Sequence, residues 1–107
     1  MTSTAELLLA VQLEQAGIPF VREFVLAPPR KYRADFFLAH DLLIEVEGGA
    51  WIGGRHSRGS GMENDCEKSA LAAARGYRFM RVTPAQVDDG RALAWIRDAV
   101  AWVRRAA

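Results

Sequence analysis

The sequence predicts a mixed α/β (α+β) domain: a four-stranded mixed sheet flanked by helices, in the order helix, three strands, helix, strand, helix. Three observations predict it. Segments with apolar residues at helical spacing alternate with short runs of strand formers. The second and third of those runs are joined so briefly that they should pair as an antiparallel hairpin. A helical segment then separates the third run from the fourth, which implies a right-handed crossover and a parallel pair. A chain of 107 residues suits one domain, spanning 1–107.

Ser3-Thr4-Ala5-Glu6 reads as a capping box and opens a helix to about residue 16. Leu9, Leu13 and Ala16 form its apolar stripe, with Leu7 and Val11 widening it, and Gly17 and Pro19 stop it. Residues 20–27 are rich in strand formers and end at Pro28-Pro29. Residues 32–39 form the second strand, His40-Asp41 the turn, and residues 42–47 the third strand. Residues 48–61 hold Gly48, Gly49, Gly53, Gly54, Gly59 and Gly61 among Trp51, Arg55, His56 and Arg58. A loop of that length without structure of its own is usually functional or disordered. Ser60-Gly61-Met62-Glu63 is a second capping box, opening a helix to Arg75 with Gly76 just past its end. Residues 77–82 are the fourth strand, and Thr83-Pro84-Ala85-Gln86 starts a short turn. After Asp89-Gly90 comes the last helix, with Ala92, Ile96, Ala99, Val100 and Val103 at helical spacing.

Composition narrows the function classes. Half the residues are hydrophobic and a quarter charged, as in ordinary soluble domains. No apolar stretch is long enough to span a bilayer, and residues 1–6 carry no basic region of a signal peptide. The single Cys66 excludes an internal disulfide and a zinc site of several thiolates; it is expected to be a small helix residue facing the core. A reducing cytoplasm is the expected compartment. The net charge of +1 excludes a polycation. Its distribution is more informative: Arg30, Lys31 and Arg33 precede a group of strand acids, Arg55 and Arg58 follow it, and Arg97, Arg104 and Arg105 lie near the C-terminus. An acidic centre with a basic rim suits a metal site acting on a polyanion, although the same residues could simply be solvated surface.

The acids carry the chemistry. Side chains alternate faces along a strand, so Glu45 and Glu47 share one face and Ile44 and Val46 the other. If the turn centres on His40, Asp35 falls opposite Glu45, with Cβ atoms roughly 5 Å apart. Like charges there repel unless a divalent cation compensates, and carboxylate oxygens are the donors Mg²⁺ prefers. The alternative is a pair of acids on a solvent face. Against it, Phe36-Phe37-Leu38 and Leu42-Leu43-Ile44 are apolar runs expected of strands covered on both faces.

Asp35 followed by Glu45-Val46-Glu47 at the end of a hydrophobic strand resembles the signature of the PD-(D/E)XK nuclease superfamily, and the element order resembles its restriction-endonuclease-like core. The segment Ile44-Glu45-Val46-Glu47-Gly48-Gly49-Ala50-Trp51, continued by Gly54-Arg55-His56-Ser57-Arg58-Gly59, is similar to small phage and bacterial endonuclease-like proteins related to very-short-patch repair endonucleases. The resemblance implies a bacterial or phage-infected cell and a Mg²⁺-dependent endodeoxyribonuclease, with Mn²⁺ able to substitute. Asp35 and Glu45 would hold the metal, and the Val46 carbonyl could add a ligand. Glu47 stands where the family motif usually has lysine; some restriction enzymes of the superfamily carry Glu there, where it can bind metal or act as general base. Lys68 is the candidate for a relocated cation, against an ordinary exposed helix lysine. His56 could move a proton or contact phosphate or base. Arg55, Arg58 and Arg33 are the candidate DNA contacts, guanidinium geometry suiting phosphate. Some superfamily members use an acid on the first helix, where Glu6 and Glu14 stand; neither is assigned a role. Trp51 is expected to anchor the loop, and Trp95 and Trp102 to pack against the domain or a second subunit. Two cuts on duplex DNA need two active sites, which points to a homodimer. The substrate form is left open between nick, mismatch, branched junction and single strand. The competing class is a DNA-binding or accessory module that kept the fold and lost catalysis, favoured by Glu47 in place of lysine. A structural or interaction domain with no nucleic acid partner is the weaker third.

Overall fold

A computed structural model describes residues 3–48 and 60–102. The elements run α1 (Thr4–Gln15), β1 (Val21–Val25), β2 (Arg33–Leu38), β3 (Leu42–Val46), α2 (Ser60–Ala74), β4 (Arg78–Val82), α3 (Pro84–Asp88) and α4 (Arg91–Ala101). The sheet has the order β1-β2-β3-β4. The first two pairings are antiparallel and β3 with β4 is parallel, as the crossover through α2 requires. The expected fold class is therefore observed, with one addition: Thr83-Pro84-Ala85-Gln86 closes into the short helix α3. The Thr83 hydroxyl accepts from the Gln86 N–H and the Gln86 side chain accepts from the Thr83 N–H.

Local chemistry sets the ends of the elements. The Ser3 hydroxyl accepts from the Glu6 N–H at 3.1 Å and caps α1. Gly76 takes a φ of +80°, letting the Tyr77 N–H reach the Ala72 carbonyl at 3.0 Å and close α2. The hairpin between β2 and β3 pairs Leu38 with Leu42, so its turn centres on His40 as expected. His40 and Asp41 both have positive φ, a region His and Asp enter more readily than most side chains.

The sheet carries a core on each face. On one side Phe36, Leu38, Ile44 and Val46 pack with Leu9 and Leu13 of α1, Val87 of α3, and Ala92 and Ile96 of α4. On the other, Leu43 packs with Leu26, Ala27, Ala34 and Ala72 of α2. Burial on both faces explains the unbroken apolar runs of β2 and β3.

Two expectations need correction. The buried stripe of α1 is Glu6, Leu9, Ala10 and Leu13, whereas Leu7 and Val11 are exposed. Positions 6, 9, 10 and 13 have the spacing of one helix face, and Leu7 and Val11 lie off it. Cys66 is exposed. The inward row of α2 runs through Asp65, Lys68 and Ala72, which leaves Cys66 on the outer side. Trp95 and Trp102, expected to pack against the domain or a second subunit, are about half exposed on α4 within this chain, with the Arg78 guanidinium 5.3 Å from the Trp102 ring centre. Trp51 and residues 104 and 105 lie outside the described residues. No helix among the described residues is long and apolar enough to cross a membrane.

Candidate functional site

The β2–β3 register pairs Phe36 with Ile44 and Phe37 with Leu43; carried one step further, it sets Asp35 across from Glu45. The side chain of Asp35 reaches the backbone of β3, where Oδ2 accepts from the Val46 N–H at 2.8 Å. Asp35, Glu45, Glu47 and the backbone of Val46 and Gly48 form one wall of a cleft of about 320 Å³. Glu6 and Ser3 border it from the start of α1, Asp65 and Lys68 from α2, and Arg81 from β4. The three strand acids and the lysine named from the sequence thus meet in one place. Lys68 is not an ordinary surface lysine: its side chain is 12 % exposed and forms an ion pair with Glu45 Oε2.

Three further residues at the site have no role assigned from the sequence. Arg81 is the Cα partner of Glu45 in the parallel pair. Its Nε lies 3.5 Å from Glu47 Oε2 and 4.0 Å from Glu45 Oε1. Glu6 is only 7 % exposed and bonds the Arg22 guanidinium at 3.0 Å. Its place on the α1 stripe beside Leu9 and Leu13 was a readable signal, an acid where an apolar residue belongs. Glu23 has a φ of 53°, rare outside glycine. It lies between the paired positions Arg22–Phe36 and Phe24–Ala34, across from Asp35. Carboxylate oxygens of Glu6, Glu23 and Asp35 lie within 4.8 Å of one another. Asp35 therefore belongs to two acidic groups, one towards β1 and α1, the other towards β3.

Other expected site residues are elsewhere. Arg33 does not line the cleft; it is exposed and 3.7 Å from Glu23. Arg30 is held by Glu67, which accepts from both guanidinium nitrogens at 2.6 Å, and the Tyr32 hydroxyl donates to Glu67. Arg55, His56 and Arg58 lie outside the described residues.

The electrostatics fit a site that wants a cation. Burial pushes the Asp35 carboxyl above its ordinary value, and the charges of Glu6 and Glu23 push the same way; the Val46 N–H and Lys68 oppose them. Burial likewise pushes the Glu45 carboxyl up, against the hydrogen bond and charge of Lys68. A divalent ion bound beside these buried carboxyls would favour their charged forms. The donors available, carboxylates and a backbone carbonyl, are all hard oxygen, the chemistry of Mg²⁺ or Mn²⁺ rather than of zinc on thiolates. Among the described residues, the acids whose oxygens already lie within reach of one ion are Glu6, Glu23 and Asp35, and these would hold it as they stand; Glu45, Val46 and Glu47 line the cleft beside Asp35.

This fold, an α+β core with a mixed four-stranded sheet between helices, is shared with a known enzyme domain. The structure is similar to a solved homing endonuclease catalytic domain, I-Bth0305I, with a TM-score of 0.67 over 92 % of this chain and 93 % of that one, at 19 % sequence identity. No protein-family model matches the sequence, and no curated protein matches it.

Proposed function

We propose that the chain is a metal-dependent endodeoxyribonuclease of the PD-(D/E)XK type, hydrolysing DNA phosphodiester bonds at the Asp35–Glu45–Glu47 cleft. The observation that carries the reading is the meeting of those acids, with Lys68 and Arg81 beside them, at one end of the sheet. The likeness of fold to a homing endonuclease catalytic domain supports it. Asp35 and Glu45 would hold the ion, which when bound would supply Lewis-acid stabilisation and a more acidic water. Glu47 accepts the proton of the attacking water. Lys68 and Arg81 supply the positive charge that the usual motif lysine would bring and face the charge developing on phosphate. His56, Arg55 and Arg58 extend the contact to the DNA backbone. The homodimer is proposed on the same ground as before, two cuts needing two sites.

The test is incubation with plasmid and branched-junction DNA across Mg²⁺ and Mn²⁺, with the ends of the products analysed. The reading expects cleavage only with metal, leaving 5′-phosphate ends. Salt-dependent DNA binding without cleavage in any metal would favour the accessory-module reading instead.

A further inference from the structure

The two cations of the cleft stand on the acids themselves. Lys68 reaches Glu45 Oε2 from α2, and Arg81 reaches towards Glu45 Oε1 and Glu47 Oε2 from β4. Both are packed on the same ring: Lys68 Nζ lies 5.8 Å and the Arg81 guanidinium 5.4 Å from the centre of Phe79. The register explains the arrangement, since Phe79 pairs with Leu43 and Arg81 with Glu45, two residues further along each strand. Each oxygen of Glu45 therefore has a cation of the protein near it.

We infer that Lys68 and Arg81 are internal counter-ions that occupy the carboxylates in the metal-free protein and are handed to the DNA phosphate when a divalent cation is bound. This rests on the metal-dependent reading above and adds a coupling to it. An ammonium on Glu45 Oε2 competes with a metal for that oxygen, so an ion that takes it displaces Lys68. Its flexible four-carbon stem allows it to leave, and the cleft beside it has room for a phosphate group. A phosphodiester in the cleft gives the freed ammonium and guanidinium a new anion. Metal binding and DNA binding then strengthen one another, by the same factor in each direction. Without DNA, the protein's own cations compete with the metal and keep its affinity low.

The test is calorimetric titration of the DNA-free protein with Mn²⁺ alone, on wild type, Lys68→Met, Arg81→Met and Lys68→Arg, each checked for native circular dichroism. Removing an internal competitor should tighten Mn²⁺ binding about tenfold in Lys68→Met and in the same direction in Arg81→Met, whereas Lys68→Arg should stay near wild type. General damage to the site would weaken binding, so the sign separates the two causes. In parallel, the affinity for a short DNA duplex is measured with and without Ca²⁺. The gain on adding Ca²⁺ should shrink in Lys68→Met. Equal or weaker Mn²⁺ binding by both folded methionine variants overturns the inference while leaving a metal site in place, and so does an unchanged Ca²⁺ gain. Absence of Mn²⁺ binding in wild type and both variants overturns the metal reading itself. If Lys68→Met does not fold, Arg81→Met carries the same comparison alone.

Discussion

The Val46 N–H donates to Asp35 Oδ2 at 2.8 Å, so the acid on β2 is tied to the backbone of β3 beside Glu45. That bond favours the ionised acid, yet burial and the neighbouring Glu6 and Glu23 outweigh it and hold the Asp35 carboxyl above its ordinary value. The same bond fixes where Asp35 can present its other oxygen. The site is thus oriented before any ligand arrives, at some cost in stability, as expected of a functional centre.

That cost is measurable in metal-free protein at neutral pH. Asp35→Asn should melt at the same temperature as wild type or higher, because it removes a charge held in unfavourable surroundings, whereas Glu45→Gln should melt lower, because it leaves the buried Lys68 without its partner. Both should lose the stabilisation that Mg²⁺ gives wild type. Thermal melts with and without Mg²⁺ check both halves; a large drop in the metal-free melting temperature of Asp35→Asn would contradict the first.

The pH dependence follows with its sign. Asp35 and Glu45 have folded values above their ordinary ones, so the folded state holds their protons more tightly than the unfolded chain does. Their destabilisation is absent below the ordinary carboxylate values and grows as pH rises through the raised ones. Glu67 behaves oppositely: Arg30 and Tyr32 hold it down to about 2, so its contribution is present above its ordinary value and fades as pH falls towards about 2. Denaturant unfolding of metal-free protein should show Asp35→Asn and Glu45→Gln flattening the loss of stability above about pH 4, the ordinary carboxylate range. Glu67→Gln should lower stability at neutral pH and abolish that part of the loss on the acid side.

Glu6 binds Arg22 on the buried stripe of α1. Glu6→Gln leaves a half-buried guanidinium without its charge partner and should cost roughly 1–2 kcal/mol, a buried-pair penalty reduced because Arg22 is partly exposed. Because Glu6 also borders the cleft, cleavage should fall by more than this loss of folded protein accounts for. Stability and single-turnover rate measured on the same preparation separate the effects.

Arg55 and Arg58 sit in the glycine-rich segment that follows the acids. Replacing both with Ala should lower the slope of log affinity against log salt by about two phosphate equivalents. Titration at several salt concentrations reads this directly, and an unchanged slope would count against a DNA-facing segment.

The sequence carried the hairpin well, because an apolar strand covered on both faces has few acceptable registers and the turn at His40 selects one. The placement of Asp35 across from Glu45 followed from that alone. Lys68 could be put on the right helix but not on the right face, since its inward direction depends on how α2 lies against the sheet. Arg81 was beyond reach, for its pairing with Glu45 is set by the length and path of the crossover, which local patterns do not encode. Glu6 was legible in its spacing with Leu9 and Leu13, but was read as part of a cap and as one of two first-helix acids without an assigned role. Cys66 was misplaced because a small apolar residue on a helix says little about which side it faces.

The central claim, that this cleft cuts DNA with a metal held by its strand acids, is tested most directly by single-turnover cleavage of a DNA substrate at saturating Mg²⁺. Wild type, Asp35→Asn and Glu47→Gln are compared. The account predicts no detectable cleavage by Asp35→Asn. It predicts a rate lowered by roughly two orders of magnitude in Glu47→Gln, as for loss of a general base, with DNA binding kept. Cleavage by Asp35→Asn at the wild-type rate would contradict it.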